Sequence, residues 1–258
     1  MSNSVIIMAG GLGKRMNSDL PKVLHKLGNI PMLVRVIREA NKIQPDKIFI
    51  VVGKYKDVIL DTLTKYISLD NIEFVTQELP LGTGHAIICC REKLENRKGN
   101  VVILSGDVPL VSSQTIKNVL KDLYSVNMVV TNMDNPHGYG RIIESGNNFV
   151  KIVEEKDCLE EERKVKKINC GMYAFNTQLL IKYLSYLNNK NSQNEYYLTD
   201  MIKIIQDHEE TKVGIFEVKK ENQKEIQGVN TQEQLRELEQ YITPYSWEDT
   251  GRDNQWKL

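Results

Sequence analysis

The stretch Ala9-Gly10-Gly11-Leu12-Gly13-Lys14-Arg15-Met16 gathers three glycines and two cations. Glycines let backbone N–H groups approach an anion closely, and Lys14 and Arg15 add charge, so the stretch reads as a phosphate cradle. The bland alternative is a purely structural strand-to-helix turn. Pro21-Lys22 follows a few residues later. There a rigid proline holds an ammonium beside the same place, and Arg15 offers a planar, two-pronged donor. Two separate cations converging on one loop suggest a triphosphate. Position excludes two commoner phosphate loops. A Walker loop needs Gly where Met8 stands and Ser or Thr where Arg15 stands, and a dinucleotide loop needs Gly where Met16 stands.

These side chains need elements to hold them. The runs Val5–Met8, Lys47–Val52, Ile72–Val75 and Val101–Leu104 are β-branched and bounded by polar or Gly positions, and they read as buried parallel strands. Between them, Met32–Lys42 and Tyr55–Lys65 carry apolar residues near helical spacing. Strand–helix alternation predicts a parallel sheet covered on both faces, with its ligand outside the carboxyl ends of the strands. Asp107 falls in such a loop, after Ser105-Gly106, where a carboxylate can meet a Mg²⁺–triphosphate; an isolated Asp is otherwise a turn former.

Further on, Met128–Thr131, Arg141–Ile143, Val150–Val153 and Gly171–Phe175, separated by Gly and Asn turns, predict antiparallel additions and a substrate-facing lobe. Asp200–Gln206 and Thr231–Gln240 predict helices, the second opened by a Thr231 cap with Gln234 as its capping-box partner and ended by Pro244. Tyr245–Leu258, with Trp247 and Trp256, reads as a loosely ordered tail, or as a segment whose indoles dock on the body or a second subunit.

Composition narrows the classes. The 258 residues carry 34 Lys+Arg against 34 Asp+Glu, so no global field favours a polyanion, and nucleic-acid binding is not expected. At 41% hydrophobic and 26% charged, the chain fits one large domain, or one with a small lobe. Val5–Met8 is far too short for a signal-peptide core or a membrane span and lacks a basic flank, so a cytoplasmic protein with no membrane contact is expected. Cys89, Cys90, Cys158 and Cys170 form no Cys-x-x-Cys, which predicts buried thiols, and the four histidines form no His-Glu-x-x-His, which removes the common zinc hydrolases.

Gly13-Lys14-Arg15-Met16 followed by Pro21-Lys22-Val23-Leu24 resembles the signature of the sugar-1-phosphate nucleotidyltransferases. Further stations follow in order: Gln77, Leu81-Gly82-Thr83-Gly84-His85-Ala86, Gly106-Asp107-Val108-Pro109-Leu110, Gly138-Tyr139-Gly140-Arg141-Ile142, Val153-Glu154-Glu155-Lys156-Asp157, Ile168-Asn169-Cys170-Gly171, Asn194–Asp200 and Gly228-Val229-Asn230. Together, from about Val5 to Tyr241, they are similar to the branch of that family that acts on N-acetylglucosamine-1-phosphate. The resemblance includes the uridyltransferase half of bifunctional bacterial enzymes.

The resemblance implies an α/β fold: a Rossmann-like (GT-A-like), mostly parallel sheet flanked by helices, with a smaller antiparallel sugar-binding lobe. It implies a nucleotidyltransferase domain over 1–241, divided into a nucleotide part to about 125, a sugar lobe of about 126–230 and a closing helix 231–241. The tail 242–258 follows, and no β-helix acetyltransferase domain is expected. The implied reaction takes UMP from UTP to N-acetylglucosamine-1-phosphate, with Mg²⁺ as cofactor. Arg15 and Lys22 are the implied catalytic cations. Ala9, Gly10, Gly11 and Gly13 would hold the nucleotide phosphates, and Gln77, Gly82 and Thr83 the uracil. Gly140, Glu154, Asn169, Glu195, Tyr196 and Tyr197 would hold the sugar, and Asp107 and Asn230 the metal.

Four positions depart from the family pattern: Lys14 stands at a common Thr, Gly10 at an Ala, Ser105 at an aromatic and Glu155 at a His. Ser105 and Glu155 bear on sugar selectivity more than on catalysis. Plain readings stand beside several assignments: Gln77 as a solvated amide, Asn169 as a strand-end cap, and Tyr196-Tyr197 as packing at a helix start. The alternative enzyme is a relative using glucose-1-phosphate or another nucleotide. A glycosyltransferase would carry an Asp-x-Asp that Gly106-Asp107-Val108-Pro109 lacks, and Arg15, Lys22, Asp107 and Asn230 argue against a non-catalytic sugar-nucleotide sensor. A monomer or a small homo-oligomer is expected.

Overall fold

Along strand β1 (Asn3–Met8), Val5 and Ile7 enter one hydrophobic layer and Ile6 the other, and all three are fully buried. A strand apolar on both faces must be covered twice, and the chain does this with helices. We describe the protein from a computed structural model, which covers residues 2–146 and 148–242. Pro244 and the segment Tyr245–Leu258 lie outside the described residues.

Strand β1 pairs in parallel with β2 (Lys47–Val52) and β4 (Asn100–Ser105), and β3 (Ile72–Thr76) pairs in parallel with β2. The order β3-β2-β1-β4 brings all four carboxyl ends to one edge, and the order reverses between β1 and β4. That reversal opens a crevice for a ligand. Helices α1 (Met32–Asn41) and α2 (Lys56–Leu63) cover one face through Leu33, Val36, Ile37, Ile59 and Leu63. The other face is covered by α3 (Thr83–Cys89), which buries Ile87 there. Truncating any of these fully buried aliphatic residues to Ala costs about 2–5 kcal/mol.

The second half extends the same sheet. Strands β5 (Val126–Asn132), β6 (Arg141–Ser145), β7 (Asn148–Val153), β8 (Lys167–Asn176) and β9 (Gly214–Glu217) bring it to nine strands. The antiparallel strands expected as a lobe are thus continuous with the parallel part, because β8 is long enough to pair with β4, β5 and β6 in turn. Its register shifts between Asn169 and Tyr173, around Gly171 at φ +70°. A bulge of this kind bends a strand and re-aims side chains, here at Asn169. Helix α4 (Ser113–Leu120) packs on the α1 face, while α5 (Thr177–Tyr183) and α6 (Leu198–Glu209) pack on the α3 face. Helix α7 (Gln232–Glu239) opens with the Thr231–Gln234 capping box expected from the sequence.

Three of the four cysteines are buried and all are free; burial pushes the Cys90 thiol up to about 12. Among the described residues, no helix is long and apolar enough to cross a membrane.

Candidate active site

The glycine-rich loop leaves β1 at the crevice. Its start is pinned by Ala9 N–H donating to Val51 O (2.8 Å), and its end by Met16 N–H donating to Gly13 O (2.8 Å). Met16 is fully buried against Leu27, Met32, Val229 and Leu238, so the loop is anchored by packing. Gly13 has φ +61°, and a Cβ there would lie 2.7 Å from the Cβ of Lys22. Only glycine lets the Pro21-Lys22 segment come this close to the loop. Among the described residues, nothing lies within 4 Å of a Cβ at Gly11. Arg15 is exposed at the loop's far end.

Lys22, Asp107 and Asn230 meet although they are far apart in the chain. The Lys22 ammonium donates to the Asp107 carboxylate and, at 3.0 Å, to the Asn230 side-chain carbonyl. The Lys22 and Asp107 side chains are only 13% and 20% exposed. Two backbone features fix this meeting. Asp107 follows β4 directly, and Val229 N–H donates to Asp107 O (2.9 Å), which docks the segment before α7 against it. Gln234 Oε1 then accepts from Asn230 N–H (2.7 Å).

The two oxygens already converge on one positive charge, that of the chain's own ammonium. A carboxylate and a carboxamide suit a hard divalent cation that takes its other ligands from water and phosphate. Among the described residues no three His, Cys, Asp or Glu side chains converge, so a denser, all-protein metal cage is not available there.

Gln77 closes one side of the cradle. Its Oε1 lies 3.4 Å from the position of a Cβ on Gly10, and its Nε2 donates to Gly82 O (3.0 Å) and stands 3.2 Å from His85 Nδ1. His85 thus helps orient the amide. The segment 81–84 is itself laced to 196–198: Gly84 N–H donates to Tyr196 O (2.7 Å), Tyr196 N–H to Leu81 O (2.8 Å), and Leu198 N–H to Thr83 Oγ1 (3.1 Å). The stretches assigned to base and to sugar are therefore neighbours.

Gly140, Glu154 and Asn169 also meet. A Cβ on Gly140 would lie 3.4 Å from Glu154 Oε2 and 3.6 Å from the Asn169 Cβ, and Asn169 N–H donates to Gly140 O (2.8 Å). Glu154 Oε1 accepts from Thr199 Oγ1 (3.0 Å). Burial raises the Glu154 carboxyl above its ordinary range; Thr199 opposes this, and the Asp200, Asp157 and Glu195 charges add to it. Tyr139 is raised too, chiefly by burial and in part by the Asp107 charge.

Other sugar-assigned residues have structural partners. Asn169 Nδ2 donates to the Tyr173 hydroxyl (2.7 Å), and its Oδ1 accepts from Gly171 N–H (3.1 Å). The Tyr197 hydroxyl donates to Asp157 (3.0 Å) and accepts from Gln193 Nε2 (2.8 Å). Tyr196 lies beside the His85 ring and lines a cavity of about 270 Å³ with Ile88, Arg91, Leu184 and Leu187. Glu195 sits over Gly82. Sequence reasoning missed Thr199, whose only signal was its place one residue into a helix beside the aromatic pair, and Gln232, whose Nε2 donates to Met16 O (2.9 Å) and ties α7 to the cradle.

Comparison with known proteins bears on this geometry. A protein of Acanthamoeba polyphaga mimivirus named "Probable UDP-N-acetylglucosamine pyrophosphorylase" is 41% identical over 240 residues, covering 91% of this chain and 94% of that protein. The "Bifunctional protein GlmU" of Clostridium botulinum (strain 657 / Type Ba4) is 43% identical over 244 residues, covering 93% of this chain and 52% of the relative. The chain thus spans about half the length of such bifunctional relatives. A crystal structure of UDP-glucose pyrophosphorylase complexed with UDP-glucose superposes with a TM-score of 0.72 at 18% identity, over 96% of this chain and 100% of the other, a likeness of fold. The profile described as "Nucleotidyl transferase" matches residues 4–256. A glycine-rich loop beside Lys22 and the Asp107–Asn230 oxygen pair, where the strand order reverses, thus accompany a match along nearly the whole sequence, and the chain belongs to the nucleotidyl transferase family.

Proposed function

We propose that the chain transfers UMP from UTP to N-acetylglucosamine-1-phosphate, giving UDP-N-acetylglucosamine and pyrophosphate, with Mg²⁺ as its divalent cation. The convergence of Lys22, Asp107 and Asn230 beside the glycine-rich loop carries this reading. The name of the viral relative supports the choice of sugar and nucleotide. A sugar-phosphate oxygen forms the new bond to the α-phosphorus in line, and the bond from that phosphorus to the bridging oxygen breaks, releasing pyrophosphate.

The attacking phosphate is already ionised at neutral pH, so the site needs no general base. Its task is positioning and neutralisation of charge. The loop N–H groups and Lys22 bind the triphosphate, and Arg15 neutralises the departing pyrophosphate. Gln77 and Gly82 read the base edge, and Gly140, Glu154 and Asn169 orient the sugar. Asp107 and Asn230 would hold the cation, which supplies Lewis-acid stabilisation of the phosphate oxygens when bound.

Pyrophosphate release by purified protein with Mg²⁺, UTP and N-acetylglucosamine-1-phosphate tests the reading. Asp107→Ala and Arg15→Ala are each expected to lower kcat by about 10²–10³. Undiminished turnover in either variant refutes its role, and a side-by-side rate with glucose-1-phosphate decides the sugar.

A further inference from the structure

Glu155 touches none of the groups assigned above, yet its carboxylate gathers contacts from two segments, 137–141 and Arg163. It accepts from Arg141 Nη2 (2.7 Å), Arg163 Nη1 (2.7 Å) and the Gly138 N–H (3.1 Å), and it lies 3.4 Å from His137 Nδ1. Burial alone would raise this carboxyl, but the donors Arg141 and Gly138 and the charges of Arg141 and His137 outweigh burial and hold it below its usual range. Arg141 is 2% exposed, a depth at which a guanidinium must be paired. Among the described residues its Nε has no partner and its Nη1 donates to Tyr139 O, so Glu155 is the counter-charge that keeps it buried.

His137, Gly138 and Tyr139 belong to the loop that carries Gly140 into β6, and Arg141 is the first residue of that strand. Gly140 is seated against Glu154 and Asn169, and Glu154 is tied on its other side to Thr199 in α6. Adjacent carboxylates thus clamp in two directions, Glu154 toward α6 and Glu155 toward the loop. We propose that Glu155 is a positioning residue for the sugar-phosphate site: through Arg141 and the Gly138 amide, its carboxylate holds the 137–141 loop so that Gly140 stays seated against Glu154 and Asn169. This rests on the reading that those three residues bind the sugar.

The test is Glu155→Gln, read in two ways. Steady-state rates give KM for N-acetylglucosamine-1-phosphate and for UTP separately, and hydrogen exchange of the 138–141 amides is followed in substrate-free protein. The expected result is a sugar-phosphate KM raised on the order of tenfold, with the UTP KM within about twofold, because only one substrate loses its seat. The loop amides are expected to exchange faster, while those of α1 keep their protection. Arg163→Ala, which removes only the exposed arm, leaves both readouts near wild type.

If the neutral side chain prevents folding, Glu155→Asp keeps the charge beside Arg141 but is too short to span Arg141, Arg163 and the Gly138 amide together, and the same split is expected in milder form. KM values that rise together, or loop protection that stays at the wild-type level, overturn the assignment. Wild-type protein that turns over no sugar phosphate defeats the functional reading instead, and the exchange data still decide whether Glu155 holds the loop.

Discussion

At the scale of single residues, the site keeps groups where solvation alone would not. Glu154 sits among Asp157, Glu195 and Asp200, and burial is the largest cause of its raised pKa. Its native pKa lies above its unfolded value, so the folded chain binds the proton more tightly. Its contribution to stability is therefore most favourable where the carboxyl is protonated, below the unfolded value, and is lost as pH rises through the carboxylate range toward the raised native pKa. Glu154→Gln keeps an acceptor for Thr199 and removes the buried charge. The variant is expected to gain on the order of 1 kcal/mol at neutral pH, a gain that vanishes at acid pH, while the sugar-phosphate KM rises. Thermal melts across pH check the first half and initial rates the second; a variant no more stable than wild type at pH 7 shows that the carboxylate is adequately compensated. The placement of Lys22 beside the glycine-rich loop and of Asp107 at the carboxyl end of a strand was legible from residue type and spacing, whereas Gln77 was singled out only through the family resemblance. The internal bonds of Asn169 and the Tyr197 hydroxyl were not legible, because they depend on which way a bulged strand and a helix entry turn those side chains.

At the scale of elements, the four parallel strands were legible because β-branched runs buried on both faces leave a continuous apolar signal. Helix α7 was legible from its capping box. The union of parallel and antiparallel parts in one sheet was not, since it rests on β8 pairing with β4, β5 and β6 in turn, a property of pairing that residue types do not announce. Glu155 was visible as a departure from the family pattern, but its partner Arg141 looked like one more residue of a glycine motif. The contact of 81–84 with 196–198 was equally hidden, being a pairing between segments far apart in sequence. It depends on Gly82, which has φ 106° and ψ 175° at the start of α3, and a Cβ there would lie 2.5 Å from Tyr196 O. That backbone region is open essentially to glycine alone. Gly82→Ala is expected to cost on the order of 3 kcal/mol, combining strain with a clash against backbone, and to weaken UTP binding as Gln77 loses its partner. Urea melts and UTP titration measure the two effects. A variant with wild-type stability and affinity means that the two segments part without consequence for the base site.

At the scale of the whole molecule, the sheet order and the long return of the chain serve one meeting point. Residues from the first strand's loop, from the end of β4 and from the entry to α7 converge at Lys22, Asp107 and Asn230, so the site is complete only when the chain is folded from near its start to α7. The Lys22 ammonium makes the contacts with Asp107 and Asn230 that a divalent cation would make. A net charge of zero over the whole chain is compatible with this, because the positive charge that matters is gathered locally. Lys22→Met removes the internal cation and leaves the Asp107 carboxylate, one-fifth exposed, without its partner. The expected loss is on the order of 1–3 kcal/mol in metal-free buffer, or roughly 2–4 °C in Tm per kcal/mol for a domain of this size. Mg²⁺ alone is then expected to restore most of that loss in the variant and to change wild-type Tm little, since in wild type the ammonium already neutralises the pair. Binding linkage makes the comparison quantitative, as a cation at about one hundred times its Kd adds about 2.7 kcal/mol. Equal Mg²⁺ shifts in the two proteins would mean that the cation binds elsewhere, or beside the ammonium rather than in its place.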